Sequence, residues 1–264
     1  MPWANHTWSA SLRPIEEQGF VIVAIGDQYL DCAHRLTHSL RHWHEGARVC
    51  LITDREGPQG YDHVRLLQDV NYDNVWANDW QVHNLTPFRE TIKLEADMLI
   101  VSDIRHWWNQ LRHTEVCIST GCRTWQDQPG TSRFYRRAFD HNHLPDVYNA
   151  VTYWRRSELA RDFFLLVRDI FQNWDQYRRL ILSAEDKPST DLVYAMAAQI
   201  LGPERVTQPW ATYPRMVHMK QHMIGTVGPD WTQELVWESV DDGLRINGLA
   251  QWGAVHYHVK SWQP

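Results

Sequence analysis

Lysine is scarce in this 264-residue chain: only Lys93, Lys187, Lys220 and Lys260 occur among 26 basic residues, and arginine supplies the rest. Against 32 acidic residues this leaves a net charge of −6, so the overall basic field of a nonspecific nucleic-acid binder is lacking. Long apolar runs are missing too. No stretch of about 18 uncharged apolar residues exists, which excludes a membrane-spanning helix. Cys32, Cys50, Cys117 and Cys122 form no Cys-x-x-Cys pair, so a cysteine zinc site is not expected and buried thiols are. The first residues lack the basic then apolar profile of a signal peptide, and a cytoplasmic protein is expected. With no repeat, linker or low-complexity segment, residues 1–264 are expected to form one domain.

What is present is a pair of acids between two apolar runs. Glu95 and Asp97 stand one residue apart where Thr91–Leu94 ends and Met98–Val101 begins. In extended backbone, residues i and i+2 point to one face, so both carboxylates aim at one spot. Two acids sharing a spot repel each other and lose hydration unless a cation lies between them. Mg²⁺ or Mn²⁺ carrying a diphosphate answers both problems, because these ions take one or two carboxylates plus phosphate oxygens. The alternative is a strand end whose acids face water. Fifteen tryptophans add flat faces that suit both a core and stacking on sugars or bases.

The order of elements predicts an α/β fold. Gly19–Ile25 reads as a buried parallel strand, Tyr29–His44 as an amphipathic helix, and Arg48–Thr53 as a second strand. That sequence opens a nucleotide-binding layer. A weaker strand is predicted at His63–Leu66, the acid-bearing strand within Pro87–Ile104, and one more at Val116–Ser119. Val147–Trp154 is strand-like, and Ser157 caps a helix predicted to run to Tyr177. A further helix is expected from Ser189-Thr190-Asp191 to Ile200, stopped by Gly202-Pro203. Short strands are predicted at Met216–Met219 and Val255–Val259, and residues 1–18 as a polar arm.

With these pieces in order, the chain resembles the GT-A glycosyltransferases, in particular the glycogenin-like family and related bacteriophage enzymes. Glu95-Ala96-Asp97 stands at that fold's Asp-x-Asp motif, Tyr148-Asn149-Ala150-Val151 resembles its Asn-Ser-Gly segment, and Val255–Trp262 resembles its closing His…Lys-Pro-Trp motif. Glutamate replaces the first aspartate, Ser261 stands where proline is common, and the gap from His256 to Lys260 is shorter than in glycogenin. The resemblance implies a Rossmann-like domain with a mostly parallel central sheet, flanking helices and a small accessory antiparallel sheet. Residues 19–104 would be its nucleotide-binding half, and 105–264 the half that meets the acceptor and completes the metal shell.

It also implies a metal-dependent transfer of sugar from a nucleotide-sugar donor, a UDP-sugar, to a hydroxyl. Charge builds on the leaving diphosphate, so such a site needs a metal and fixed cations against it. Asp97 is the expected direct ligand, with Glu95 on the metal or the ribose and His256 or His258 completing the shell. Lys260 is expected on the diphosphate, Asn149 near the donor sugar, and Asp191 at the sugar or as a general base. Ile25, Gly26 and Tyr29 after the first strand, with Asp54 after the second, are expected to hold the nucleotide. For Asp27 in that loop and for Asp54, simple helix or turn capping is the alternative.

His218 and Lys220 form a second His/Lys pair, on the acceptor or the diphosphate side. Thr131–Asn142 interleaves Arg133, Arg136 and Arg137 with aromatics, a pattern that suits a stackable polyanion. Together with this loop and the lack of a membrane anchor, the resemblance to bacteriophage enzymes implies hydroxymethylated pyrimidine in double-stranded phage DNA as the acceptor. A carbohydrate or small molecule is the alternative, and a non-catalytic sugar-nucleotide binder a further one. A nucleotidyltransferase would want a glycine-rich, basic loop after strand one, which Gly26-Asp27-Gln28 is not. No membrane or protein partner is implied.

Overall fold

The computed structural model describes residues 16–130, 136–207, 214–220, 230–240 and 243–263. In chain order it has β1 (Glu16–Ala24), α1 (Asp27–Trp43), β2 (Val49–Thr53), β3 (His63–Leu66), a 3₁₀ helix (Val75–Gln81) and α2 (Val82–Leu85). Next come β4 (Phe88–Glu95), β5 (Met98–Ile100), α3 (His106–Leu111), β6 (Val116–Thr120), α4 (Arg137–His141) and β7 (Val147–Arg155). α5 (Glu158–Gln172), α6 (Trp174–Leu180), α7 (Thr190–Leu201) and α8 (Pro203–Val206) follow. The chain closes with β8 (Met216–His218), α9 (Trp231–Glu234), β9 (Trp237–Val240), β10 (Gly243–Ile246), β11 (Leu249–Ala250) and β12 (Ala254–His256).

Six strands make the central sheet, in the order β3-β2-β1-β4-β7-β6. The first four run parallel, and β7 runs antiparallel to both β4 and β6. Alternation along β1 divides the core in two. Phe20, Ile22 and Ala24 face α1 with Leu36 and Leu40, whereas Val21 faces α5 and α7 with Phe163, Val167 and Val193. Both faces are covered, which is why the strand reads as an unbroken apolar run. Gly19 is needed where β1 meets β4, because a Cβ there would fall 2.3 Å from the Phe88 ring.

Several local expectations change. Glu95 ends β4, but Asp97 lies in the turn before β5, and β5 leaves the central sheet. A turn, not one pleated strand, brings the acids together. The helix expected to run from Ser157 to Tyr177 breaks at Asn173 (φ −115°, ψ 31°), whose side chain donates to the Asp169 carbonyl and carboxylate. The Ser157 cap is present, its hydroxyl accepting from the Ala160 N–H. The accessory antiparallel sheet is the β9-β10-β11 meander, and a second small sheet, the mixed β5-β12-β8, is added to it. The last strand stops at His256 rather than Val259, since His258 adopts φ 58° and cannot continue it.

Candidate functional site

The parallel strands β1 and β4 end side by side, with Val23 opposite Glu95. Ligands of open α/β sheets gather in the crevice beyond such carboxyl ends. A cleft of about 240 Å³ opens there. It is lined by Ile25 and Tyr29 after β1, by Glu95 and Asp97, by Asn149 of β7, and by Asp191 at the start of α7. The small mixed sheet adds His218 and His256 to the lining, and the segments that follow β8 and β12 add Lys220, His258 and Lys260. Eleven of the residues singled out in the sequence thus meet in one place.

His256 is the hinge of the site. Its Nε2 lies 3.1 Å from Asp97 Oδ2 and 3.2 Å from Glu95 Oε2. Lys260 also forms an ion pair with Asp97, and its ammonium stands 5.4 Å from the centre of the Tyr29 ring. Burial would raise the Asp97 carboxyl, but His256 and Lys260 outweigh it and hold the group well below the usual carboxylate range. Glu95 is raised, by burial first and by the adjacent Asp97 in addition. Burial would lower His256, and the two acids reverse that and raise it. His218 and His258 are both held well below the usual imidazole value, by burial and by the neighbouring imidazoles.

Ligand atoms of Glu95, Asp97 and His256 all lie within 4.8 Å of one another. Two carboxylates and one imidazole, with hard oxygens in the majority, fit Mn²⁺ or Mg²⁺.

Asn149 and Asp191 are tied together. Asp191 Oδ1 accepts from the Asn149 N–H at 2.8 Å, which fixes the end of β7 against the start of α7. The Asn149 side-chain oxygen is buried and has no hydrogen-bond partner among the described residues. Ser189 caps α7, its hydroxyl accepting from the Leu192 N–H.

Some expected residues fall elsewhere. Gly26 and Asp54 do not line the cleft. Asp54 Oδ1 instead accepts from the Gly26 N–H at 3.2 Å, a tie that shapes the loop after β1. Arg136 is turned inward. It is buried at 3% exposure, lies 3.8 Å from the Phe139 ring centre and 4.1 Å from that of Tyr148, and pairs with Asp146 and Asp191. A guanidinium so enclosed does not meet a polyanion. Arg137 is exposed at the start of α4, and Arg133 lies outside the described residues. His218 joins His256 and His258 rather than a separate acceptor wall.

The cleft also holds residues that no sequence motif assigned to it. Lys93 lies buried on its floor, paired at 2.6 Å with Asp79 of the 3₁₀ helix, and Asp79 accepts the Tyr194 hydroxyl. Its signal was available, since Lys93 is two residues before Glu95 on the same face of β4. Asp79 and Trp76 carried none, because irregular 3₁₀ backbone has no periodicity to read.

No protein-family model matches the chain, and no curated protein matches its sequence. Solved structures do match its fold. Mouse xyloside xylosyltransferase 1 superposes with a TM-score of 0.54 over 95% of this chain and 100% of its own, at 11% identity. The galactosyltransferase LgtC, in complex with donor and acceptor sugar analogs, gives 0.52 over 91% of this chain and 87% of its own, at 10% identity. The bifunctional glycosyltransferase WbbM gives 0.51 over 97% of this chain at 12% identity, and the chain spans 48% of its length. The arrangement of strands, helices and small sheets described above is therefore the GT-A fold of glycosyltransferases.

Proposed function

We propose that this protein transfers a sugar from a nucleotide-sugar donor, a uridine diphosphate sugar, to a hydroxyl of a carbohydrate acceptor, with Mn²⁺ or Mg²⁺ bound. The observation that carries the reading is the convergence of Glu95, Asp97, His256 and Lys260 at the carboxyl ends of β1 and β4 in a GT-A fold. Glu95, Asp97 and His256 would hold the metal. When bound, it supplies positive charge against the leaving diphosphate.

The chain's own residues do the rest. Lys260, once released from Asp97, is positioned to neutralise a phosphate oxygen, with Lys220 on the same wall. Ile25 and Tyr29 offer an apolar edge and a ring to the nucleotide. The Asn149 amide oxygen is free to accept from a sugar hydroxyl, and Asp191 fixes its backbone. Asp191 also pairs with Arg136 at 3.1 Å, so it acts first as a positioning residue.

A sugar hydroxyl is favoured as acceptor over DNA for two reasons. LgtC binds an acceptor sugar analog in the same fold. The arginine track that a DNA acceptor requires loses Arg136 to the interior.

The test is a panel of nucleotide sugars with Mn²⁺, with free glycans and hydroxymethylated DNA as acceptors, read by mass spectrometry. The expected result is metal-dependent release of nucleoside diphosphate with sugar added to a glycan, abolished by chelation. Full turnover in excess chelator removes the metal from the reading. Donor binding without hydrolysis or transfer reduces the protein to a sugar-nucleotide binder, and transfer to DNA alone returns the acceptor to nucleic acid.

A further inference from the structure

Three imidazoles crowd the wall of the cleft beside the acid pair, and the strand register explains two of them. β12 pairs in parallel with β8, and His256 is the direct partner of His218. Residues paired in this way project from the same face of a sheet. The third, His258, lies just past the strand end at φ 58°. That turn lays its ring on His256, with centroids 3.7 Å apart and planes inclined by 29°. It also brings His258 Nε2 to 3.3 Å from His218 Nδ1.

We propose that His218, His256 and His258 form a second, all-nitrogen cation site that takes a zinc-class transition ion and shares His256 with the carboxylate site. One ligand atom from each ring lies within 4.8 Å of the other two. Two nitrogens bound tetrahedrally to one ion at about 2.0–2.1 Å stand about 3.4 Å apart, close to the separation found between His258 and His218. His218 and His256 are each 5% exposed. His256 turns Nε2 toward Glu95 and Asp97, and its Nδ1 is buried without a hydrogen-bond partner among the described residues. A buried imidazole nitrogen left this way carries an unmet desolvation cost, which coordination would relieve.

The donor set separates this site from the first. Imidazole nitrogens without carboxylate select Zn²⁺, Co²⁺ or Cu²⁺, whereas Glu95 and Asp97 suit Mg²⁺ or Mn²⁺. Three protein ligands leave a fourth position for water or a substrate atom. Lys220 and Lys260 oppose a further positive charge on this wall, while Glu95 and Asp97 favour it, and Lys260 is already paired with Asp97. The competing occupant is a proton shared between His218 and His258.

The proposal is independent of glycosyl transfer, and its test reads metal alone. Co²⁺ is titrated into the purified, metal-stripped full chain and followed by its visible absorption, and Mn²⁺ binding is followed separately by electron paramagnetic resonance. The expected result is a cobalt band that saturates near one equivalent and is displaced by Zn²⁺. It is lost in His218→Ala and in His258→Ala and kept in Asp97→Asn, whereas Mn²⁺ binding is lost in Asp97→Asn and kept in His218→Ala. His258→Ala guards against a folding defect, because His258 lies outside the strands and is a quarter exposed. A cobalt band unchanged by both histidine variants overturns the site. So does a band lost in Asp97→Asn alone, which would put the ion on the acids. No band at micromolar Co²⁺ leaves the shared proton as the occupant and also overturns it.

Discussion

Asp97 and Lys260, 163 residues apart in sequence, form an ion pair on the floor of the cleft. The carboxylate that would hold the metal and the ammonium that would hold the diphosphate thus neutralise each other. Burial opposes both charges; His256 and then Lys260 reverse this for Asp97 and lower it, and Asp97 reverses it for Lys260 and raises it.

The pair makes metal and nucleotide interdependent. Either ligand alone must part the pair and leave one buried charge uncompensated, whereas both together satisfy the two halves. We expect uridine diphosphate to bind at least about tenfold more tightly with Mn²⁺ than without it, a coupling of about 1.4 kcal/mol. In Lys260→Met the coupling should fall below about threefold. Isothermal titration checks this, and equal affinity with and without metal in the wild type would sink it.

A stability prediction follows from Gly19. A Cβ on this residue would meet three carbon atoms of the Phe88 ring at 2.3–2.6 Å, and both residues lie in central strands. Gly19→Ala should destabilise by about 1–3 kcal/mol, the usual cost of overpacking. Adding Phe88→Leu should recover part of that loss, because it removes the opposing ring edge. Urea denaturation of the single and double variants is the measurement, and strictly additive effects would rule out the clash.

The parallel half of the fold was legible in the sequence because β2 and the middle of β1 are buried on both faces. β3 spans its predicted range and β2 starts one residue late, whereas β1 begins at Glu16, three residues inside the expected polar arm, and ends at Ala24. The acid pair, Asn149, Asp191 and the closing histidines were legible as motifs, and they do line one cleft. What failed were features with no periodic signal. The turn at Asp97, the positive φ of His258 and the break at Asn173 are single-residue backbone choices, set by tertiary context. The arginine loop misled for another reason. Sequence alone cannot tell a guanidinium stacked inward on Phe139 and Tyr148 from one facing a ligand.

That inward arginine can be tested. Arg136 donates to the Val147 carbonyl at 2.5 Å and pairs with Asp146 and Asp191, whose side chains are 18% and 28% exposed. Removing it strands two partly buried carboxylates. Arg136→Ala should cost about 2–4 kcal/mol, somewhat less than a fully buried pair because water reaches both acids. Any polyanion binding should keep its salt dependence, since no phosphate contact is lost. A variant with wild-type stability and a shallower salt slope would return Arg136 to the surface.

The last prediction concerns pH and His83, which lies far from any metal ligand in the sequence. His83 is 7% exposed, stacks on Phe164 with centroids 5.4 Å apart, and has its Nδ1 3.3 Å from Asn84 Oδ1. Burial pushes its imidazole down to about 4, against a weaker opposing pull from Asn84. In the unfolded chain it titrates near about 6.5. As pH falls below that value the unfolded chain takes up a proton that the folded protein refuses. The contribution of neutral His83 is therefore complete above about pH 6.5 and is lost as pH falls toward about 4. At about 1.4 kcal/mol per unit, the full effect is on the order of 3 kcal/mol. His218 and His258 are also lowered and add a loss of the same sign, so the comparison must be with a variant. His83→Gln cannot titrate, and its urea midpoint should fall less than the wild type's between pH 7 and pH 4.5. The stability difference between the two proteins should narrow or change sign in favour of the variant as acid is added. A difference that stays constant across that range would mean that His83 does not fold in its neutral form.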